Sequence, residues 1–164
     1  MGAFLIIKEL TKRGCTVSTA ESCTGGLLAS AFVDIPGSSA CFKEGYVTYA
    51  DEVKVRVLGI PQSVVDEYTV VSGECAAQMA VQTRRLTGSD YALSTTGIAG
   101  PDGGSDEKPV GLVYIACADS KKVVVREFKF KGNRNSVRNA AVEAALDLLG
   151  ERLGIRKPKQ YVWV

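Results

Sequence analysis

The apolar start of the chain, Met1 to Ile7, is broken at once by Lys8 and Glu9. That amphipathic rhythm predicts a helix over 2–13, ended by Gly14. A short β-branched run over 15–19 predicts a first strand. The apolar, alanine-rich residues 24–34 predict the helix after it, and Pro36-Gly37 then break the chain. Loose alternation over 41–50 suggests a second strand, with Asp51 placed to cap a helix over 52–58. A short helix over 62–67 follows. Ser72 caps an amphipathic helix on which Cys75, Met79, Thr83 and Leu86 share a face. Residues 91–96 read as a third strand and 97–109 as a glycine-rich loop. Residues 110–118 and 123–130 pair as a hairpin across Asp119-Ser120-Lys121-Lys122. The last helix, about 134–153, turns Val137, Ala141, Ala144 and Leu148 inward. Helices around some five strands imply a three-layer α/β/α domain with a mixed sheet, in an order the sequence does not disclose.

Composition narrows what such a domain does. The 164 residues are expected to form one domain over 1–164, with 46% hydrophobic and 23% charged residues in an ordinary globular balance. A net charge of +2 gives no reason to expect nucleic acid or an anionic membrane as partner. No apolar run reaches membrane-spanning length. Cysteines 15, 23, 41, 75 and 117 are odd in number and form no C-x-x-C pair. They point to free thiols, a reducing cytoplasmic compartment and no zinc site. Histidine is absent, which excludes every Ser-His-Asp and Cys-His mechanism. Any catalysis needs another base.

Four stretches carry candidate chemistry. Thr19-Ala20-Glu21-Ser22-Cys23-Thr24-Gly25-Gly26 lies between the first strand and its helix, where open α/β sheets place ligands and helix N–H groups favour anions. Gly25 and Gly26 let a ligand approach the backbone, beside the polar groups of Glu21, Ser22, Cys23 and Thr24. A simpler reading has Ser22 or Thr24 merely capping the helix. In the second stretch, Lys54 falls in the first turn of a helix, where the dipole and partial burial favour the neutral amine. A neutral lysine is a general base for serine, with Tyr49 as relay; the alternative is a surface lysine paired with Asp51 or Glu52.

The third stretch, 95–104, holds Thr96, Gly97, Ala99 and Gly100, whose backbone would suit a phosphate or oxyanion; a flexible hairpin loop is the plainer reading. Asp102, Asp106 and Glu107 do not follow a calcium-loop pattern, and no metal or other cofactor is expected. Fourth, Arg134 and Arg138 lie one turn apart at the start of the last helix and would grip a phosphate, unless they are simply solvated. The tail, Tyr161-Val162-Trp163-Val164, is either a frayed end or a docked strand or subunit contact.

T-A-E-S-C-T-G-G at 19–26, G-S-S at 37–39, V-T-Y at 47–49 with Lys54, T-G-I-A-G-P-D-G-G at 96–104, K-P-V-G at 108–111 and G-N-R at 132–134 together resemble the CinA carboxy-terminal domain family. The resemblance covers about residues 5–150, without the amino-terminal domain of full-length CinA proteins, as in stand-alone PncC-type nicotinamide-nucleotide amidases. It implies deamidation of nicotinamide mononucleotide to nicotinate mononucleotide and ammonia, without metal, by serine, tyrosine and lysine at Ser22, Tyr49 and Lys54. It also implies a homodimer or larger homo-oligomer. Many relatives have Ser-Asn after the tyrosine, where this chain has Ala50-Asp51. A catalytically silent nucleotide-binding or competence-related partner-binding module is the alternative.

Overall fold

The computed structural model describes residues 2–157, so the aromatic tail lies outside the described residues. Helix α1 (Ala3–Arg13) buries Ile6, Ile7 and Leu10 and stops at Gly14, whose left-handed backbone closes the last turn. Strand β1 (Val17–Glu21) runs two residues later than the sequence suggests, because Glu21 pairs in register with Val47 and Thr95 despite its charge. Helix α2 (Leu27–Val33) starts later than expected, since Gly25 and Gly26 are left-handed and cannot be helical. A 3₁₀ turn over Ser38–Ala40 leads into β2 (Phe42–Val47), shorter than the expected 41–50.

Helices α3 (Asp51–Leu58), α4 (Gln62–Tyr68) and α5 (Gly73–Thr87) follow. Ala50 occupies the cap position of α3 without a side-chain bond, so Asp51 is its first helical residue and not its cap. Ser72 does cap α5, accepting from the Cys75 N–H. Leu86 leaves the inward face of α5 and is exposed. Strands β3 (Tyr91–Gly97), β4 (Leu112–Ala118) and β5 (Val123–Lys129) precede α6 (Arg134–Arg152). β4 begins two residues late because Gly111 is left-handed and packs tightly on the Phe130 carbonyl.

The five strands form one sheet in the order β2-β1-β3-β4-β5. β1 is parallel to β2 and β3, while β4 is antiparallel to both β3 and β5, so the sheet is mixed. Alternation along the strands supplies both cores. Val113, Ile115 and Cys117 join Leu93 in the cluster that includes Ile6, Leu28 and Leu149 of α1, α2 and α6. Ala116 and Ala118 meet Ala76 and Ala80, and these small side chains bring α5 close to the sheet. A further cluster of Ala20, Leu58, Ile60 and Met79 binds α3 into the same layer as α5. The result is the three-layer α/β/α architecture expected from the sequence. Its topology matters for the site: β1 is followed by β2 on one side and β3 on the other. A crevice opens at their carboxyl ends, where doubly wound sheets place ligands.

Candidate active site

Glu21 ends β1 facing the start of α2. Its carboxylate accepts from Thr24 Oγ1 at 2.6 Å and from the N–H groups of Gly26, Leu28 and Ala29 at 3.1, 2.9 and 2.8 Å. Thr24 Oγ1 in turn lies 2.7 Å from Thr95 Oγ1. The carboxylate therefore caps α2 and occupies the anion site that the helix dipole creates. This corrects two expectations. Glu21 and Thr24 are fully buried supports, not ligand contacts. The N–H groups of Gly26 and the helix start are likewise closed to a phosphate. Neither Ser22 nor Thr24 caps the helix through an accepting side chain.

Arg138 is likewise a brace. Its Nε donates to the Cys23 carbonyl at 3.1 Å and its Nη2 to the Thr24 carbonyl at 2.8 Å. A Cβ at Gly25 would sit 3.4 Å from that Nη2, so the turn and guanidinium fit closely. Gripped from both sides, the 22–26 turn is rigid. Ser22 stands at its head, anchored by donation of its N–H to the Thr95 carbonyl at 3.0 Å. The Gly25 N–H donates to the Ser22 carbonyl. Among the described residues, no hydrogen bond to another residue uses the N–H groups of Cys23 and Thr24.

A cavity of about 180 Å³ opens beside that turn. Ser22, Tyr49, Lys54, Thr96, Gly97, Ala99 and Arg134 line it, together with Cys23, Asp51, Val70 and Val71. Seven of the sequence candidates thus meet in one place. Gly25, Gly26, Glu21, Thr24 and Arg138 do not line it: Glu21 and Thr24 are buried behind the turn, whereas Gly25 is exposed and Gly26 and Arg138 are half-buried outside the cavity. Gly100 is linked to the cavity through its carbonyl, which accepts from Arg134 Nη1 at 2.7 Å. Whole small-molecule sites are usually about 300–1,000 Å³, so this space suits one ring with its substituent, the remainder lying outside.

Lys54 forms the floor, its side chain only 1% exposed although it belongs to the first turn of α3. Its Nζ donates to the Tyr49 carbonyl at 3.2 Å and lies 3.9 Å from Asp51 Oδ1. Asp51 is 62% exposed and well solvated, which blunts its pull on the ammonium. Burial lowers the Lys54 pKa and outweighs Asp51, Cys75, Cys23 and Glu52, which push it back up. Cys23, the rival nucleophile, is buried and its thiol is pushed up to about 11, chiefly by that burial, with Glu21 adding to it and Arg138 and Lys54 opposing. A thiol at that value holds negligible thiolate at neutral pH. Ser22 keeps 8% of its surface open to the cavity. Among the described residues, no hydrogen bond joins its Oγ to Lys54 or Tyr49; such contacts are often long before substrate arrives.

Val70 and Val71 are the wall residues that sequence reasoning missed. They precede the Ser72 cap, and an apolar pair there reads as packing. Their placement comes from Thr96 Oγ1, which donates to the Val70 carbonyl at 2.7 Å. Among the described residues no group of three or more cysteine or carboxylate ligands could hold a metal. No helix of the described chain is long and apolar enough to cross a membrane.

The model of the CinA C-terminal domain matches residues 3–153, nearly all of the chain. The chain belongs to the CinA C-terminal domain family. A CinA-like protein of Geobacter sulfurreducens is 50% identical over 148 residues, 90% of this chain and 36% of that protein. Another from Geotalea uraniireducens is 51% identical over 140 residues, 85% of this chain and 33% of that protein. The chain thus spans about a third of the length of these curated relatives. Among solved structures, the competence/damage inducible protein CihA from Agrobacterium tumefaciens superposes with a TM-score of 0.89 at 42% identity, covering 93% of both chains. A CinA superfamily protein from Klebsiella pneumoniae gives 0.90 at 34% identity, covering 94% of this chain and 96% of that one. These likenesses establish the family and its architecture.

Proposed function

We propose that this domain is an amidohydrolase that removes the carboxamide nitrogen of nicotinamide mononucleotide, leaving nicotinate mononucleotide and ammonia. One observation carries the reading: a buried lysine of lowered pKa lines the same small cavity as Ser22, in a chain without histidine. Neutral Lys54, directly or through the Tyr49 hydroxyl, takes the Ser22 proton as Oγ bonds to the carboxamide carbon. The negative oxygen rests against the backbone N–H of Cys23, which lines the cavity on the turn braced by Glu21 and Arg138. The tetrahedral species collapses as the C–N bond breaks, and the nitrogen leaves as ammonia with the proton that Lys54 held. Water then adds to the ester carbon, giving up a proton to Lys54. Collapse breaks the C–Oγ bond and returns that proton to Ser22, releasing the acid.

The cavity takes the pyridine ring and its amide. The ribose phosphate then lies toward Arg134 and the loop around Gly100, since the start of α2 is closed to it. Ammonia release from nicotinamide mononucleotide by the purified protein tests the reading. Binding of the nucleotide without ammonia release would instead make this a silent nucleotide-binding module. Neither binding nor turnover would leave the partner-binding role.

A further inference from the structure

The K-P-V-G stretch at 108–111 takes no part in the chemistry above, yet its lysine is the most heavily engaged cation near the cavity. Lys108 Nζ donates to the carbonyl of Tyr68 at 3.3 Å, to that of Val71 at 2.9 Å, and to Thr69 Oγ1. Its own backbone is tied into the glycine-rich loop. The Ser105 N–H donates to the Lys108 carbonyl at 2.9 Å, and the Lys108 N–H to Ser105 Oγ at 3.1 Å. A cation from the glycine-rich loop thus holds the turn that carries Val70 and Val71.

That turn needs holding. Thr69 has φ 65° and ψ 171°, and it is the one non-glycine residue with positive φ among the described residues. Side chains with a β-branch rarely adopt such a backbone, so the turn keeps this shape only because its surroundings impose it. Ser72 Oγ donates to the Thr69 carbonyl, and Thr96 Oγ1 to the Val70 carbonyl. Lys108 supplies the only charged donor among these ties, and bonds from charged donors are the stronger kind. The direct product of the turn is the placement of Val70 and Val71 in the cavity wall.

We infer that Lys108 is a positioning residue: it holds Thr69 in its left-handed backbone so that Val70 and Val71 form a preset apolar wall for the substrate ring. Its bearing on substrate rests on the amidase reading, whereas its hold on the turn does not. Two measurements keep these apart. The first is the Thr69 backbone, read from its HN–Hα coupling and Cα and Cβ shifts by NMR. Lys108→Met should lose the positive-φ signature, and Lys108→Arg should keep it. The second is steady-state deamidation of nicotinamide mononucleotide. Lys108→Met should raise KM about tenfold, the equivalent of one charge-assisted hydrogen bond, with kcat within about twofold. Lys108→Arg should stay near wild type. Adding Thr69→Gly to Lys108→Met should bring KM back, because glycine takes that backbone without a clamp.

If Lys108→Met keeps both the Thr69 signature and the wild-type KM, the inference is overturned. A fall in kcat with melting temperature that Thr69→Gly does not repair would overturn it too, by marking a merely structural lysine. If the wild-type protein releases no ammonia, the amidase reading fails, and the NMR arm alone decides whether Lys108 shapes the wall.

Discussion

Arg134 Nη2 donates to the phenolic oxygen of Tyr49 at 3.0 Å, joining residues 85 positions apart across the mouth of the cavity. Its other arm holds the Gly100 carbonyl. One guanidinium thereby fixes the tyrosine, the glycine-rich loop and the start of α6 in mutual register. Under the proposed reading it also serves the phosphate end of the substrate. Arg134→Ala should raise KM for nicotinamide mononucleotide and lower kcat, because it loosens Tyr49 as well as the phosphate end. Nicotinamide riboside, lacking the phosphate, should be a far poorer substrate for the wild type. For Arg134→Ala the two substrates should converge. An undiminished preference for the mononucleotide in that variant would move the phosphate elsewhere.

The choice of nucleophile follows from burial. Cys23 and Ser22 are neighbours, and a helix start ordinarily favours a thiolate. Here burial wins and the thiol stays protonated, so Ser22→Ala should abolish ammonia release while nucleotide binding persists. Cys23→Ala should retain most turnover. Loss of activity in Cys23→Ala, with activity kept in Ser22→Ala, would reverse the assignment. Single-turnover release measured beside binding isotherms distinguishes the two.

Glu21 is expected to matter for folding before it matters for chemistry. Glu21→Ala would strip the acceptor from three buried or half-buried N–H groups and from Thr24 Oγ1. Each unpaired donor costs about 1–3 kcal/mol, so a loss of at least about 3 kcal/mol is expected in denaturant unfolding. Glu21→Gln, which keeps one acceptor oxygen, should lose less. A stability change below about 1 kcal/mol for Glu21→Ala would mean that α2 finds another cap.

Much of this was legible from residue order, for identifiable reasons. The inward face of α6 was readable because Val137, Ala141, Ala144 and Leu148 repeat at helical spacing, and all four are buried. Ser22, Tyr49 and Lys54 converge because each lies just beyond a parallel strand or opens the next helix, and parallel strands present such ends together. Glu21 and Arg138 misled for a shared reason. Their partners are backbone atoms, and for Arg138 these lie 115 and 114 residues away. A side-chain inventory cannot show that a carboxylate is already satisfied by N–H groups or that a guanidinium grips carbonyls. Strand order was hidden for a related reason, since β3 returns to the far side of β1 without any local signal.

Lys54 offers the sharpest test, because its replacement should move activity and stability in opposite directions. Burial lowers its pKa below the ordinary value near 10.4, so the folded state favours the neutral amine. Between the lowered and the ordinary value the unfolded chain binds more protons than the folded one. Stability therefore rises with pH across that window, and the cost of the buried ammonium is full below it. Turnover should rise through the same lowered pKa, as more molecules hold the base. Lys54→Met should lose nearly all turnover yet be more stable than wild type at pH 7, a gain that fades as pH rises toward the ordinary lysine value. Lys54→Arg stays charged and should be inactive as well. Asp51→Asn removes the first of the charges that raise the Lys54 pKa, so the rising limb of the rate profile should shift to lower pH. Substantial activity in Lys54→Arg would make this residue a fixed positive charge. An unmoved limb in Asp51→Asn would show that a different group titrates.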